Sequence, residues 1–233
     1  MRNVVTVPLN EGECLVIASD NSGGVGIKEL DSVQVSYEIV SYYSFRVAVM
    51  DCIAAGAMPI SVVLHNFCGN DYWDILVSGV KKGLAEINLA HLTVTGSTES
   101  NFSMRQSAVG IVVIGRKVME KSEISLENNM KVAVIGRPLV GEEVITHGSE
   151  VAPLSLFKEI ADLEDVRLWP VGSKGILYEI KRMFGGGFQK VNTDLNLKVS
   201  SGPSTCFIVA YDEKIELSIK QLSGELFHPV SLN

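Results

Sequence analysis

From Ser36 to Ala55 the apolar residues Ile39, Val40, Tyr43, Val47, Met50 and Ala54 recur at steps of three and four. That spacing puts them along one side of a helix and fits no strand. Gly56 ends the helix and Pro59 stands just beyond it, as expected where a helix stops. The run Ile60–Leu64 follows at once and reads as a strand. Cys14–Ala18, upstream, is a short buried strand closed by Ser19-Asp20. A second helix is expected over Asp71–Ile87, with Trp73, Leu76, Val77, Val80, Leu84 and Ile87 on one face and Asp71 placed to cap it. Leu92–Thr95 and Ala108–Ile114 read as strands, the second long enough to lie inside a sheet.

The pattern then breaks. Lys117–Asn129 is charged and polar and reads as a linker. Beyond it come strands at Lys131–Ile135, Val166–Trp169 and Thr205–Tyr211. Helices are expected at Ala152–Ile160, Ser173–Met183 and Glu213–Leu222, with a break at Gly185-Gly186-Gly187. The expectation is an α+β protein of two domains, 1–117 and 118–233. With 233 residues, 46% of them hydrophobic, the chain has material for both cores.

Charge and cysteines narrow the function. Lys and Arg number 20 against 27 Asp and Glu, a net charge of −7, which argues against general nucleic-acid or anionic-membrane binding. No apolar run approaches the ~18 residues that span a bilayer, and Met1-Arg2-Asn3-Val4 lacks the apolar stretch of a signal peptide. Cys14, Cys52, Cys68 and Cys206 never form a C-x-x-C pair, so structural zinc is not expected. Scattered cysteines of this kind suit the reducing cytoplasm. By the same reasoning the glycosylation sequon Asn101-Phe102-Ser103 is taken as chance.

Three segments can carry chemistry. Ser19-Asp20-Asn21-Ser22-Gly23-Gly24-Val25-Gly26-Ile27-Lys28 follows a strand. Its glycines let backbone N–H groups approach an anion, Lys28 supplies a point charge, and Asp20 can hold Mg²⁺. An ordinary surface loop is the competing reading. In Met50-Asp51-Cys52-Ile53-Ala54-Ala55-Gly56-Ala57-Met58-Pro59, Asp51 is the one charge between Arg46 and Asp71. A carboxylate on so apolar a helix needs a partner. A metal is one candidate and an ion pair with Arg46 the other. Thr95-Gly96-Ser97-Thr98-Glu99-Ser100-Asn101 gathers hydroxyls and one carboxylate after a strand; an ordinary turn is the alternative.

In order and spacing these segments resemble the PurM-like (aminoimidazole ribonucleotide synthetase-related) ATP-binding superfamily. Its motifs are a D-G-V-G-T-K-like loop, matched by Asp20 to Lys28 with an insertion; N-D-x-x-x-x-G-A-x-P, matched from Met50 to Pro59; and G-G-(D/E/H)-T, matched by Gly96 to Glu99. The G-x-x-x-G strand that follows has its counterpart in Val109–Gly115, where four residues stand between Gly110 and Gly115. The likeness covers residues 12–116 well. It is thinner beyond, where Val134–Gly141, Ser173–Gly187 and Ser201-Gly202-Pro203 answer to parts of the second domain.

The resemblance implies a two-domain PurM-like fold: a mixed sheet with helices on one face in the first domain, and a reduced α/β second domain. It implies a homodimer through the first domain, with ATP and Mg²⁺ bound there and phosphoryl transfer to a small metabolite, with no nucleic-acid or membrane partner. Asp20, Asp51 and Glu99 would hold Mg²⁺. Gly23, Gly24, Gly26, Lys28, Ser97, Thr98 and Asn101 would hold nucleotide. Lys28 would neutralise the transferring group, and His65, at a strand end, is the best general base. Two departures stand out: Met50 replaces the motif's asparagine, and Ser97 stands at its acidic or histidine position. An ATP-dependent amidine-forming ligase and a nucleotide-binding regulatory homologue are the alternatives.

Overall fold

The computed structural model describes residues 4–118 and 130–233; of the expected linker, residues 119–129 lie outside the described residues. The chain divides into two compact units, the first ending at Met119.

The first unit contains, in chain order, β1 (Val4–Asn10), β2 (Glu13–Gly23), β3 (Val25–Gly26), β4 (Val33–Gln34), α1 (Tyr37–Ala54), β5 (Met58–Asn66), α2 (Trp73–Glu86), β6 (Val94–Thr98) and β7 (Ala108–Val118). Five of the strands form a mixed sheet ordered β1-β2-β7-β5-β6, with β5 and β6 its one parallel pair. The long strand over 108–118 is central, as its apolar length required. Along β2 and β7 burial alternates strictly: Cys14, Val16 and Ala18, then Val109, Ile111 and Val113, turn to one face, the period-two signature of a sheet covered on one side.

That face is covered by α1, which packs on β2, β7 and β5 and against α2. Ser36 caps α1, its hydroxyl accepting from Ile39 N. Burial extends around most of the helix, taking in Ser41, Ser44, Arg46 and Asp51. The one-sided stripe expected from sequence is therefore a helix enclosed between sheet and second helix. Asp71 does not cap α2: it lies in a 3₁₀ turn, Asn70–Tyr72, that leads into it.

The second unit has β8 (Met130–Ile135), α3 (Glu143–Thr146), α4 (Leu154–Ala161), β9 (Val166–Pro170), α5 (Gly175–Phe184), β10 (Val191–Asn192), β11 (Phe207–Asp212), α6 (Glu216–Ser223) and β12 (Phe227–Leu232). Its sheet, β10-β12-β8-β11-β9, is antiparallel at every pairing. Val134, Trp169, Ile176, Ile180, Ile208 and Val230 share its core. Trp169 Nε1 donates to the buried Glu179 carboxylate at 2.8 Å, which satisfies both groups in a dry setting. Sequence patterning misses β12, because Pro229 interrupts it. β10 pairs only with Ser231 and Leu232, so at Pro229 the strand is an edge, where proline is tolerated.

Candidate active site

Sheet register decides which candidate residues can meet. β2 pairs with β7 without a break as far as Gly23↔Ala108. Asp20 and Asn21 are therefore strand residues rather than the opening of a loop, and the turn begins only at Gly24. Residues directly opposite on neighbouring strands share a face. Asp20↔Ile111, Ile111↔Leu64 and Leu64↔Gly96 thus form one row on the α1 side. The next row, Asn21, Gly110, His65 and Ser97, faces away from α1. The row after it, Ser22, Val109, Asn66 and Thr98, faces α1 again. His65, exposed on β5, is thereby separated by the sheet from Asp20 and from Thr98. Ser97 shares its face; Thr98 instead receives a hydrogen bond from Asn66 Nδ2 at 3.1 Å.

The glycine turn is tied down. Gly24 takes φ +69°, a left-handed conformation that favours glycine. Its N–H donates to Ser107 O at 2.8 Å, and its carbonyl accepts from Ser32 N at 2.7 Å. β3 then pairs in parallel with β4. At Gly26 a Cβ would come within 2.5 Å of Ser107 Oγ and 2.6 Å of Tyr37 Cε1, so the backbone passes where no side chain fits.

Lys28 does not present a free ammonium group. Its Nζ donates to Met104 O at 2.9 Å, and at longer range to Phe67 O (3.4 Å) and Gln106 O (3.5 Å). Three residues on stands Asp31, which no motif in the sequence singles out. It is only 8% exposed. Its carboxylate accepts from Ser107 N (2.7 Å), Ser107 Oγ (2.6 Å) and Lys28 N (2.9 Å). Burial pushes the carboxyl up, and the hydrogen bonds from Ser107 and Lys28 outweigh it, holding the group below the usual carboxylate range. Only the fold brings Ser107, 76 residues away, against it.

Of the three expected metal ligands, Asp51 is 3% exposed in the last turns of α1, where no basic residue offsets the negative end of the helix dipole. Asp20 lies on the α1 side of β2. Glu99 follows β6, and its Oε1 accepts from Asn101 N (2.7 Å) and Phe102 N (3.2 Å). The backbone of Asn101, rather than its amide, thus braces the turn. Among the described residues no group of three or more His, Cys, Asp or Glu side chains gathers around one point that could hold a metal ion, so these three carboxylates do not converge into a ready-made cage. Mg²⁺ does not need one. It is commonly held by one or two carboxylates, substrate phosphates and water, and the oxygen-only donors Asp51 and Glu99 suit it.

Neither a protein-family model nor a curated protein sequence matches the chain. Solved structures match it in shape. Thermotoga maritima PurL complexed with ATP superposes with a TM-score of 0.62 at 14% identity, over 99% of this chain and 42% of that one. A HypE–HypF complex gives 0.60 at 16% identity, over 98% and 87%. The protein tt0281 from Thermus thermophilus gives 0.61 at 11% identity, over 99% and 86%. The chain spans about two fifths of the length of the PurL structures it matches. At such identities the likeness defines the fold, which is PurM-like and α+β with a mixed first sheet. Within that class, the neighbours include PurL solved with ADP, with AMPPCP and with ATP.

Proposed function

We propose that the chain is an ATP- and Mg²⁺-dependent phosphotransferase whose nucleotide site lies in the first unit and whose acceptor is a small nucleoside-like or phosphorylated metabolite. One observation carries the reading: a fold shared with nucleotide-bound PurL, in a chain that keeps a glycine turn at the end of β2. Gly23 and Gly26 offer backbone N–H groups to phosphate, and Gly24, its own N–H held by Ser107 O, sets the turn that brings the backbone close. Ser97 and Thr98 at the end of β6 and Asn101 in the turn after it complete the nucleotide site. Asp51 holds Mg²⁺, with Glu99 and Asp20 as further oxygen donors. Phosphoryl transfer asks mainly for positioning and charge neutralisation, so the absence of an assigned base is no obstacle. Lys28, its Nζ resting on the Met104 carbonyl at 2.9 Å, neutralises the transferring group, and His65, on the same sheet face as Ser97, is given no step.

The acceptor we propose is α-ribazole, converted to α-ribazole 5′-phosphate in cobamide (cobalamin) salvage. Ser19–Gly26, Phe45–Pro59, Val63-Leu64-His65-Asn66-Phe67 and Gly96–Ser103 resemble segments of α-ribazole kinase, a small member of that superfamily. ADP release screened over a nucleoside panel containing α-ribazole tests this. The expected result is release with that nucleoside and a product heavier by one phosphoryl group. Release that requires an amine instead would indicate the amidine-forming ligase, which no structural observation favours.

A second reading has an observation of its own. Read without a gap, Gly23-Gly24-Val25-Gly26-Ile27-Lys28 overlays D-G-V-G-T-K, and Gly23 takes the place of the aspartate at the strand end. Together with Ser97, this favours a nucleotide-binding regulatory homologue. Mg-ATP binding with no turnover of any nucleoside would establish it.

We also propose a homodimer through the sheet face that α1 leaves uncovered. Leu15, Ile17, Val63, Val112 and Ile114 lie there only partly buried, and an apolar sheet face of this kind calls for a partner. Light scattering at micromolar concentration should give roughly twice 25.3 kDa; the monomer mass would contradict the dimer.

A further inference from the structure

Among the buried polar groups that the proposed chemistry leaves unused, one network stands out. Ser107 Oγ donates to Asp31 Oδ2, so the 2.8 Å contact between Tyr37 and Ser107 runs from the phenol to Oγ. Burial pushes the Tyr37 phenol up to about 12, so it keeps its proton as a donor. The chain Tyr37 OH to Ser107 Oγ to Asp31 is closed from the other side by Ser107 N and Lys28 N. Ser107 also accepts Gly24 N through its own carbonyl. A single carboxylate therefore fixes both ends of the turn from Gly24 to Lys28 and the segment that runs into β7. Gly26 threads between the Ser107 and Tyr37 side chains that this network holds still.

We infer that Asp31 is the positioning residue of the glycine turn. By clamping Ser107 and the Lys28 amide, it presets the backbone N–H groups that receive the nucleotide phosphates. This rests on the nucleotide reading of the first unit. Asp31 touches no substrate; it acts through Ser107 and the turn. Phosphate binding by backbone amides depends on their being already aimed, because each that must be ordered on binding costs affinity.

The substitution Asp31→Asn is isosteric and cannot satisfy the site. Whichever way the amide is turned, its NH₂ meets an N–H donor, from Ser107 at one oxygen position or from Lys28 at the other. Ser107→Ala removes only the hydroxyl and leaves both of that residue's backbone bonds. Amide exchange without nucleotide, well below the melting temperature, should show faster exchange at Gly24, Lys28 and Ser107 in Asp31→Asn, with Ile208 in the second unit unchanged. The Mg-ATP dissociation constant of the folded variant should rise about ten- to a hundredfold, the usual weight of a lost hydrogen bond to a charged group. Ser107→Ala should fall between it and the wild type. Faster exchange with unchanged Mg-ATP affinity would make Asp31 a structural tie only and overturn the inference while the nucleotide reading stands. Wild-type protein that binds no Mg-ATP would overturn both.

Discussion

Asp51→Asn should leave the first unit folded, weaken Mg-ATP binding and lower turnover on the order of a hundredfold or more, as when a metal clamp on a transferring phosphoryl group is lost. Asp51 sits almost fully buried near the C-terminus of α1, a poor place for a negative charge unless a cation faces it. Asparagine keeps the shape and removes the charge. The competing account, an ion pair with the equally buried Arg46, predicts another pattern. Breaking a buried pair is strongly destabilising, so the melting temperature would fall while the protein that remains folded kept its affinity. Melting temperature and Mg-ATP affinity measured on the same variant separate the two, and unchanged affinity would remove Asp51 from the metal site.

Gly79→Ala should destabilise the first unit strongly. On α2, a Cβ at this position would stand 2.1 Å from Glu38 O and 2.2 Å from Ser41 Oγ of α1. One of the contacts is backbone, so no rotamer change relieves it and the helices must separate. Overpacking of this kind costs about 1–3 kcal/mol and occasionally more, only partly offset by alanine's helix preference of about 1 kcal/mol over glycine. A melting temperature lower by about 5–10 °C is expected, with weaker Mg-ATP binding as α1 carries Asp51 out of place. A variant as stable as the wild type would mean that α1 and α2 do not pack this closely.

Much of the fold can be read from the sequence, since the elements concerned carry their own periodicity: α1, α2, β5, β7, β8 and β11 sit within a few residues of expectation. The elements missed lack that signal. β1 is an exposed edge strand whose residues are open on both faces. β12 contains a proline, and α3 is a single turn. The site is legible in part. Gly24 and Gly26 mark a turn that the glycine run announces, with positive φ and close backbone approach. By contrast, sequence patterning ends β2 too early, because Asn21, Ser22 and Gly23 look like turn residues while being held in the sheet by β7. Asp31 is invisible to it because its three donors lie in two segments far apart in the chain. Lys28 is expected at the chemistry from its place in the glycine motif and His65 from its strand end; in the fold Lys28 Nζ donates to the Met104 carbonyl and His65 shares a sheet face with Ser97.

The central claim is that the glycine turn of the first unit receives the phosphates of Mg-ATP. Amide exchange mapped along the whole chain with and without Mg-ATP tests it most directly. The account predicts slower exchange from Gly23 to Lys28 and from Ser97 to Asn101 when nucleotide is added. Exchange unchanged at those positions, or protection confined to residues 130–233, would contradict it.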